Sequence, residues 1–269
     1  MPDESRRSDD ETIDLSDPQL DDRRLATIRG LLAKAEATEF PEEAEAFFNK
    51  ASELIARYAV DEALLWSYGP AAREEPSELR MVLHPPYLAQ KAVLVSRVAT
   101  AHGCRAIRFG AGSARDGEVV AVVGFPSDLR WVDTLVTSLM VQLTSAMLAR
   151  APRGLTASQS AGWRRSFIVG FAEEVAARLQ LDREVATRDA DQHMASGRDA
   201  SGDHSVSLVL VERSERVRDD FRRRFPHTQT TRASTGGSRA GHHAGRAAGR
   251  EASFGRRTIG GTQSLPRGG

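Results

Sequence analysis

Hydrophobic residues recur at helical spacing in two neighbouring segments near the start of the chain. Both segments follow the i, i+3, i+4, i+7 pattern of a helix that buries one face. Pro41 suits the first position of the second helix, and Glu42 and Glu43 complement its positive end. The pattern predicts a two-helix hairpin. Its apolar positions are Leu25, Ile28, Leu31, Leu32 and Ala35, then Ala44, Phe47, Phe48, Ala51, Leu54, Ile55 and Tyr58.

A different pattern begins at Leu79. Short runs rich in Val, Ile and Phe alternate with longer amphipathic stretches, which predicts the order β-α-β-β-α. We therefore expect an α+β fold, with a helical hairpin followed by an α+β domain that holds a small, mostly antiparallel sheet covered on one face. Strands are predicted at 79–84, 104–109 and 118–125, and helices at 87–102 and 126–149.

The third part of the chain is more polar. A helix is predicted over 162–180, and the polar stretch 182–204 predicts a loop. Residues 206–211 are rich in Val and Leu and predict a strand, which should join the earlier sheet because a single strand is not stable alone. A short charged helix is predicted over 214–225.

The two ends of the chain carry opposite charge, although the formal net charge of the whole chain is zero. Residues 1–22 hold nine acidic and two basic side chains, whereas residues 222–269 hold ten arginines and one acid. The acidic head has few apolar residues and is predicted to be disordered. We divide the chain into a disordered acidic head at 1–22, a helical hairpin module at 23–67, an α+β domain at 77–225 and a basic Gly/Arg-rich tail at 226–269, which is either disordered or a helix of small residues.

Composition favours a cytoplasmic protein. The single cysteine, Cys104, excludes an intrachain disulfide framework and fits a reducing compartment. The start of the chain lacks the basic and then apolar pattern of a signal peptide. The most apolar helix, 129–148, is interrupted by Arg130 and Asp133, so we expect a core helix and no contact with a membrane.

The hairpin resembles the DUF2786 family of proteins of unknown function. The residues that carry this resemblance are Ile28–Glu36, Phe40–Ala46, Lys50–Leu54 and Arg57–Tyr58. Three later motifs look like the companion region of the same proteins: Val122–Phe125 with Asp128, Trp163–Phe167 with Gly170 and Phe171, and Gly245–Arg250. The resemblance implies an intracellular bacterial protein, of actinobacterial or phage-related type, without assigned chemistry. It supplies no catalytic residue.

The basic tail contains the leading candidate for a binding surface. If the segment near 239–254 is helical, its glycines form one small-residue face and its arginines share an adjacent face. Arginines bind phosphates through their positive charge and long side chains. Such contacts contribute affinity but do not distinguish nucleotide sequences. We predict nucleic acid or an acidic protein as the partner, and a solvated tail or a helix docked on the protein's own core as alternatives. The residues assigned to the contact are Arg246, Arg250, Arg256 and Arg257.

A second pairing of arginine with aromatic residues occurs at 163–167. Arginines beside aromatic rings can stack bases or bind phosphate. However, Trp163, Phe167 and Phe171 are spaced as a buried helix face requires, so we expect them to point inward and Arg164 and Arg165 to point to solvent.

Two further function classes stay open. A metal-assisted hydrolase would use the polar stretch 189–204, where carboxylates and imidazoles are concentrated, but no recognised ligand spacing is present. Cys104 lies close to His102, yet a lone cysteine that enters a strand is ordinarily a small buried hydrophobe. No catalytic residue, metal site or cofactor is therefore assigned. The third class is a protein-interaction scaffold built on the hairpin. The metal-ligand candidates are Asp189, Asp191, His193, Asp199, Asp203 and His204.

Overall fold

The computed structural model is dominated by helices. It describes residues 18–38, 40–68, 74–109, 117–196, 205–229 and 233–252. In this part of the chain, seven helices surround one three-stranded sheet, so the predicted α+β class is confirmed. The elements are α1 (Pro18–Ala37), α2 (Pro41–Tyr68), β1 (Ser77–Leu83), α3 (Leu88–Ala101), β2 (Arg105–Arg108), β3 (Glu118–Gly124), α4 (Pro126–Arg150), α5 (Ala157–Ser196), α6 (Val206–Arg224) and α7 (Arg239–Arg250).

α1 and α2 form the predicted hairpin. Their apolar stripes face each other and continue into the main core, where Ile28 and Phe48 are almost completely buried. In the turn between the helices, the Thr38 hydroxyl donates to the Glu43 carboxylate and accepts the backbone N–H of Phe40 at 3.3 Å. These bonds satisfy polar groups where α1 ends and α2 begins.

The start of α1 differs from the prediction. The helix begins at Pro18, so residues 18–22 are helical and do not belong to a disordered head. Proline is favoured at the first helical position, which agrees with a helix that begins at Pro18. Residues 1–17 lie outside the described residues.

The sheet has the order β1-β3-β2, and both pairings are antiparallel. Side chains alternate across the central strand, as in any strand. Val120 and Val122 face the main core beside α3 and α4, whereas Val123 faces a smaller cluster with Val209 and Val217 of α6. The order β-α-β-β-α is confirmed, but helices lie on both faces of the sheet where one covered face was predicted.

One continuous hydrophobic core joins the hairpin to the rest of the molecule. It includes Phe48 from α2, Val122 from β3, Phe167 from α5 and Ala248 from α7. α5 lies at the centre and packs against α2, α3 and α7. The division of the chain into a hairpin module and an α+β domain stays a prediction, although the two parts share this core.

Residues 206–211 are helical, so the prediction of a strand there is wrong. The buried residues that follow the start of α6 are Val206, Val209, Arg213 and Val217, which is the spacing of a helix that buries one face. The Ser205 side chain caps the helix by accepting the backbone N–H of Leu208 at 3.3 Å. Tertiary packing and capping have overridden the strand propensity of the Val-rich run.

The predicted loop at 182–204 is also wrong in its first part. α5 continues to Ser196, and its exposed charged residues lie along the solvent side of a helix. The Ser52 hydroxyl donates to the Asp182 carboxylate, which ties this extension to α2. A polar composition indicates that a segment is exposed to solvent, but an exposed helix can have the same composition as a loop.

α4 is, among the described residues, the one helix with the length and apolar composition of a membrane span. One side of it is packed into the main core through Leu135, Leu139 and Leu143. This placement agrees with the expected core helix.

Candidate nucleic-acid interface

The C-terminal helix α7 lies along α5. The Ser238 side chain caps it by accepting the backbone N–H of Gly241 at 3.1 Å. Of the two alternatives for the tail, a helix of small residues is therefore correct for residues 239–250. The rest of the tail from residue 253 onward lies outside the described residues.

Glycines allow the two helices to approach backbone to backbone. A Cβ atom built at Gly241 would overlap the carbonyl group of Trp163, and one at Gly245 would overlap the carbonyl group of Phe167. From the other side, a Cβ at Gly170 of α5 would overlap the carbonyl group of His242. No other residue type fits these positions without a shift of the backbone, so the glycine face of α7 is its docking face.

The aromatic face of α5 packs beneath this contact. Trp163, Phe167 and Phe171 are all buried, which confirms that they point inward. Arg164 and Arg165 are half-buried rather than fully exposed, and the Nε atom of each is buried without a hydrogen-bond partner in the described structure. Both side chains are therefore only partly open to the solvent toward which they were expected to point.

The opposite face of α7 is basic and exposed. Arg239, His243, Arg246 and Arg250 follow a spacing of four, three and four residues, which places them in one row along the helix. All four are exposed. We call this row the basic stripe.

A recessed carboxylate lies beneath one end of the basic stripe. Glu174 of α5 accepts Arg246 Nε at 2.8 Å and lies 3.5 Å from Arg250 Nη1. Its side chain is 13 % exposed, whereas each of the two arginine side chains is 50 % exposed. Glu174 therefore orients both guanidinium groups and leaves them open to a ligand from solvent.

Arg178 fixes the C-terminal end of α7. Its Nη1 atom donates to the carbonyl oxygens of Gly249 at 2.8 Å, Arg250 at 3.0 Å and Ala252 at 3.3 Å. The last carbonyls of a helix need partners from outside its regular hydrogen bonds, and a positive charge suits this end of the helix dipole. Burial lowers the pKa of the Arg178 guanidinium, and nearby carboxylates oppose that shift.

Arg178 also joins α7 to the hairpin. Its Nη2 atom donates to the Asn49 side chain at 2.8 Å, and its guanidinium lies 4.7 Å from the centre of the Phe48 ring. A single α5 side chain thus contacts both the N-terminal hairpin and the end of the basic helix. Arg178 therefore links those two parts of the molecule.

The hairpin is also the part of the chain that matches a known family. Residues 23–62 match the model of DUF2786, a protein family of unknown function. The DUF2786 resemblance of this segment is confirmed. Searches among curated proteins and among solved structures found no match. Asn49 and Phe48 lie inside the matched segment, so Arg178 connects the DUF2786 hairpin to α7.

The structure locates two of the four predicted contact residues. Arg246 and Arg250 lie together on the basic stripe, whereas Arg256 and Arg257 lie outside the described residues. Sequence reasoning missed Arg239 and His243, although their spacing relative to Arg246 and Arg250 could have identified them. It also missed Glu174 and Arg178, because only the packing of α5 against α7 brings them to the site.

The carboxylates and imidazoles proposed as metal ligands do not form a described site. Asp189, Asp191 and His193 lie on α5, and both carboxylate oxygens of Asp191 are occupied, one by the Val206 N–H and the other by the Ser207 hydroxyl, each at 2.7 Å. Within the described ranges, no three His, Cys, Asp or Glu side chains converge on a point that could hold a metal ion. Asp199, Asp203 and His204 lie outside those ranges.

Cys104 and His102 are both buried, and their side chains are not paired. The Cys104 thiol donates to the backbone carbonyl of His102 at 3.6 Å rather than to its ring. Burial raises the pKa of the Cys104 thiol and lowers the pKa of the His102 imidazole to about 4. The thiolate that a nucleophilic mechanism needs is therefore disfavoured.

A cleft of about 1130 Å³ opens between α5, α6 and the end of α3. Arg188 and Arg218 line it together with Glu184 and Glu215, so its charge is mixed. In its lining the Ser207 hydroxyl donates to Asp191, whose other carboxylate oxygen accepts the Val206 N–H, so this carboxylate is occupied at the start of α6. The basic stripe remains the better-defined candidate site.

Proposed function

We propose that the protein is a cytoplasmic binding protein, without enzymatic activity, that contacts nucleic acid or another polyanion through the basic stripe of α7. The observation that carries this proposal is the exposure of Arg239, Arg246 and Arg250 along one side of a helix whose other side is fixed by backbone contact. A rigid helix holds these charges at a regular spacing without loss of the entropy that a mobile tail would lose on binding.

The chemistry of such a surface predicts electrostatic binding. Guanidinium groups neutralise phosphates and release counterions, so affinity should fall steeply as salt rises. No exposed aromatic or amide side chain accompanies the arginines on the stripe. We therefore expect little discrimination between nucleotide sequences.

Binding of labelled duplex DNA, single-stranded DNA and RNA by the full chain, measured by fluorescence anisotropy over a salt series, tests the proposal. The double variant Arg246→Gln/Arg250→Gln should bind more weakly, and the slope of log affinity against log salt should fall by up to about 2, or about 1 for each lost phosphate contact. The matched control is Arg188→Gln/Arg218→Gln, which removes two exposed arginines elsewhere. Equal binding by the two double variants would refute the assignment to α7.

A truncation after residue 252 examines the remaining predicted residues. It removes Arg256 and Arg257 but keeps Ala248 and Ala252, which belong to the main core. If those arginines extend the stripe, the truncated chain should bind more weakly with an unchanged melting temperature. Absence of binding by the intact protein at low salt, to every nucleic acid and to an acidic polypeptide, would leave the protein-interaction scaffold as the better hypothesis.

A further inference from the structure

A second surface combines arginine with aromatic rings at the end of the sheet that α6 leaves open. In the register of the sheet, Arg80 lies opposite Ala121 and Val82 opposite Val119. The Phe109 N–H donates to the Val119 carbonyl at 3.0 Å, directly after β2. Side chains at these paired positions share one face of the sheet. Val82 on this face is 55 % exposed, so α6 does not cover this end.

Three phenylalanines extend from this sheet end to α6. The Phe109 ring packs against Phe225 at 5.7 Å between ring centres, and Phe225 packs against Phe221 at 5.3 Å. The guanidinium of Arg80 lies 5.7 Å from the centre of the Phe109 ring, and that of Arg105 lies 6.0 Å from the centre of the Phe221 ring. We call these five side chains the arginine–phenylalanine surface.

The charge of this surface favours an anionic ligand. The Arg80 side chain is 68 % exposed, whereas Glu78, its carboxylate partner, is only 16 % exposed. Arg105 is exposed and has no carboxylate partner among the described residues. Phe109, which lies beside the Arg80 guanidinium, is 37 % exposed. A ligand from solvent therefore meets guanidinium planes and an aromatic edge before it meets a carboxylate.

We propose that the arginine–phenylalanine surface binds single-stranded nucleic acid by stacking its bases. Guanidinium planes and aromatic rings are the groups on which proteins stack unpaired bases, and positive charge beside them holds the phosphates. In a duplex the bases are enclosed by their neighbours, so stacking of this kind selects single strands. This surface differs from the basic stripe, which offers charge without aromatic rings, and the proposal does not depend on binding at α7.

Photochemical cross-linking locates the contact without any substitution. The full-length protein would be irradiated with a short single-stranded oligonucleotide that contains 5-iodouracil, and the adducts would be mapped by mass spectrometry. We expect adducts within residues 105–109 or 221–225. Adducts found only elsewhere, or none under conditions in which the oligonucleotide binds, would overturn the proposal.

Affinity measurements give an independent test. Phe109→Leu keeps an apolar side chain but removes the ring, and it should weaken binding of single strands roughly fivefold to tenfold without an equal effect on duplex DNA. Phe40→Leu is the matched control, because Phe40 is an exposed phenylalanine in the hairpin turn. Melting temperatures would establish that both variants fold. Equal affinities of these two variants for single strands would contradict the proposal.

The two binding proposals can fail separately. The variant Arg246→Gln/Arg250→Gln should weaken the binding of duplexes and single strands alike, since it removes charge only. If that variant binds as the wild type does and Phe109→Leu weakens single-strand binding, the proposal for α7 fails and the stacking proposal stands. If Phe109→Leu leaves binding unchanged, or weakens the binding of duplexes and single strands equally, the stacking proposal fails. This holds for any result with the α7 variant.

Discussion

α6 and α7 are both rich in arginine, but they bury different parts of their surfaces. α6 buries Val209 and Val217 with Arg213 between them, and the Arg213 guanidinium donates to Asp128 at 3.0 Å and lies 3.9 Å from the centre of the Phe125 ring. α7 buries glycines and alanine, and its three arginines all remain exposed.

The size of the docking residues explains this difference. Valines hold α6 away from the sheet, which leaves room for a buried guanidinium that must be paired to be tolerated. Glycines bring α7 into backbone contact with α5, so a long side chain has no room at that interface. A buried arginine of α6 therefore stabilises the fold, whereas the arginines of α7 remain exposed to solvent.

The largest effect predicted from this comparison is the loss of Arg213. Arg213→Ala leaves the Asp128 carboxylate buried without its cation, and the free energy of unfolding should fall by about 3–5 kcal/mol. Arg246→Ala should change it by less than about 0.5 kcal/mol, because Arg246 is exposed. Chemical denaturation of both variants measures the contrast.

A double-mutant cycle sharpens this prediction. In the Arg213→Ala variant the buried Asp128 carboxylate has lost its positively charged partner, and Asp128→Asn removes that unpaired charge. The double variant Asp128→Asn/Arg213→Ala should therefore be destabilised by less than the sum of the two single changes. Additive effects would mean that the two side chains do not interact as the structure places them.

The next effect is a dependence of stability on pH near this buried pair. His102 is buried, and burial, assisted by Arg183 and opposed by Asp128, lowers its pKa from an ordinary 6.5 to about 4. As the pH falls, His102 therefore becomes protonated near pH 6.5 in the unfolded chain but only near pH 4 in the folded chain. Stability should fall over this interval by about 3 kcal/mol, on the scale of 1.4 kcal/mol per pH unit.

The contribution of His102 can be separated from that of the carboxylates, which titrate in the same acidic range. Denaturation of the wild type and of His102→Gln would be compared at several pH values between about 7 and 4. The wild type should lose more stability than His102→Gln as the pH falls, by up to about 3 kcal/mol. Parallel curves would show that the imidazole is not held neutral in the fold.

A smaller loss of stability is predicted at the docking face of α7. Gly245→Ala places a methyl group against the Phe167 carbonyl and should destabilise the helix contact by about 1–3 kcal/mol, although alanine is the better helix former. Gly30→Ala is the matched control, since nothing lies within 4 Å of its Cβ position. That control should be stabilised by about 0.5–1 kcal/mol. Amide hydrogen exchange in α7 would report the undocking, and equal changes in both variants would contradict backbone contact.

The same comparison explains which parts of the fold were predictable from sequence. The hairpin was predictable because nearly every buried position in its helical period, such as Ile28 and Phe48, is apolar, and the buried Ser52 is too small to hide the pattern. The start of α6, residues 206–211, was mistaken for a strand because Arg213 occupies a buried position, which breaks the apolar period and leaves the Val-rich run as the stronger signal. A buried ion pair is invisible in a pattern that counts only hydrophobic residues.

The candidate site was predictable only in part, for a related reason. Arg246 and Arg250 are close in sequence, so helical spacing places them together. Glu174 and Arg178 lie on another helix, and their positions beside α7 depend on the glycine contact between α5 and α7. Local spacing cannot show contacts made through tertiary packing.

The smallest predicted effect concerns Glu174. It is a gain in affinity for a ligand, whereas the other substitutions at buried positions lower stability. Glu174→Gln keeps the size of the side chain and removes one negative charge beneath Arg246 and Arg250. If the basic stripe binds a polyanion, affinity at low salt should rise by roughly twofold to fivefold, because a nearby like charge no longer repels the phosphates. Stability should fall by less than about 1 kcal/mol, because both arginine partners are half exposed and glutamine can still accept their hydrogen bonds.

This prediction separates a binding role of the stripe from a purely structural one. Glu212→Gln is the matched control, since Glu212 is paired with Arg216 on the exposed side of α6. Anisotropy titrations at low and high salt should show a gain for Glu174→Gln that disappears as salt screens the charges, and no gain for the control. If the stripe had only a structural role, removal of the Glu174 charge would leave the affinity at low salt unchanged. An unchanged affinity would therefore contradict the proposed role of Arg246 and Arg250 in binding.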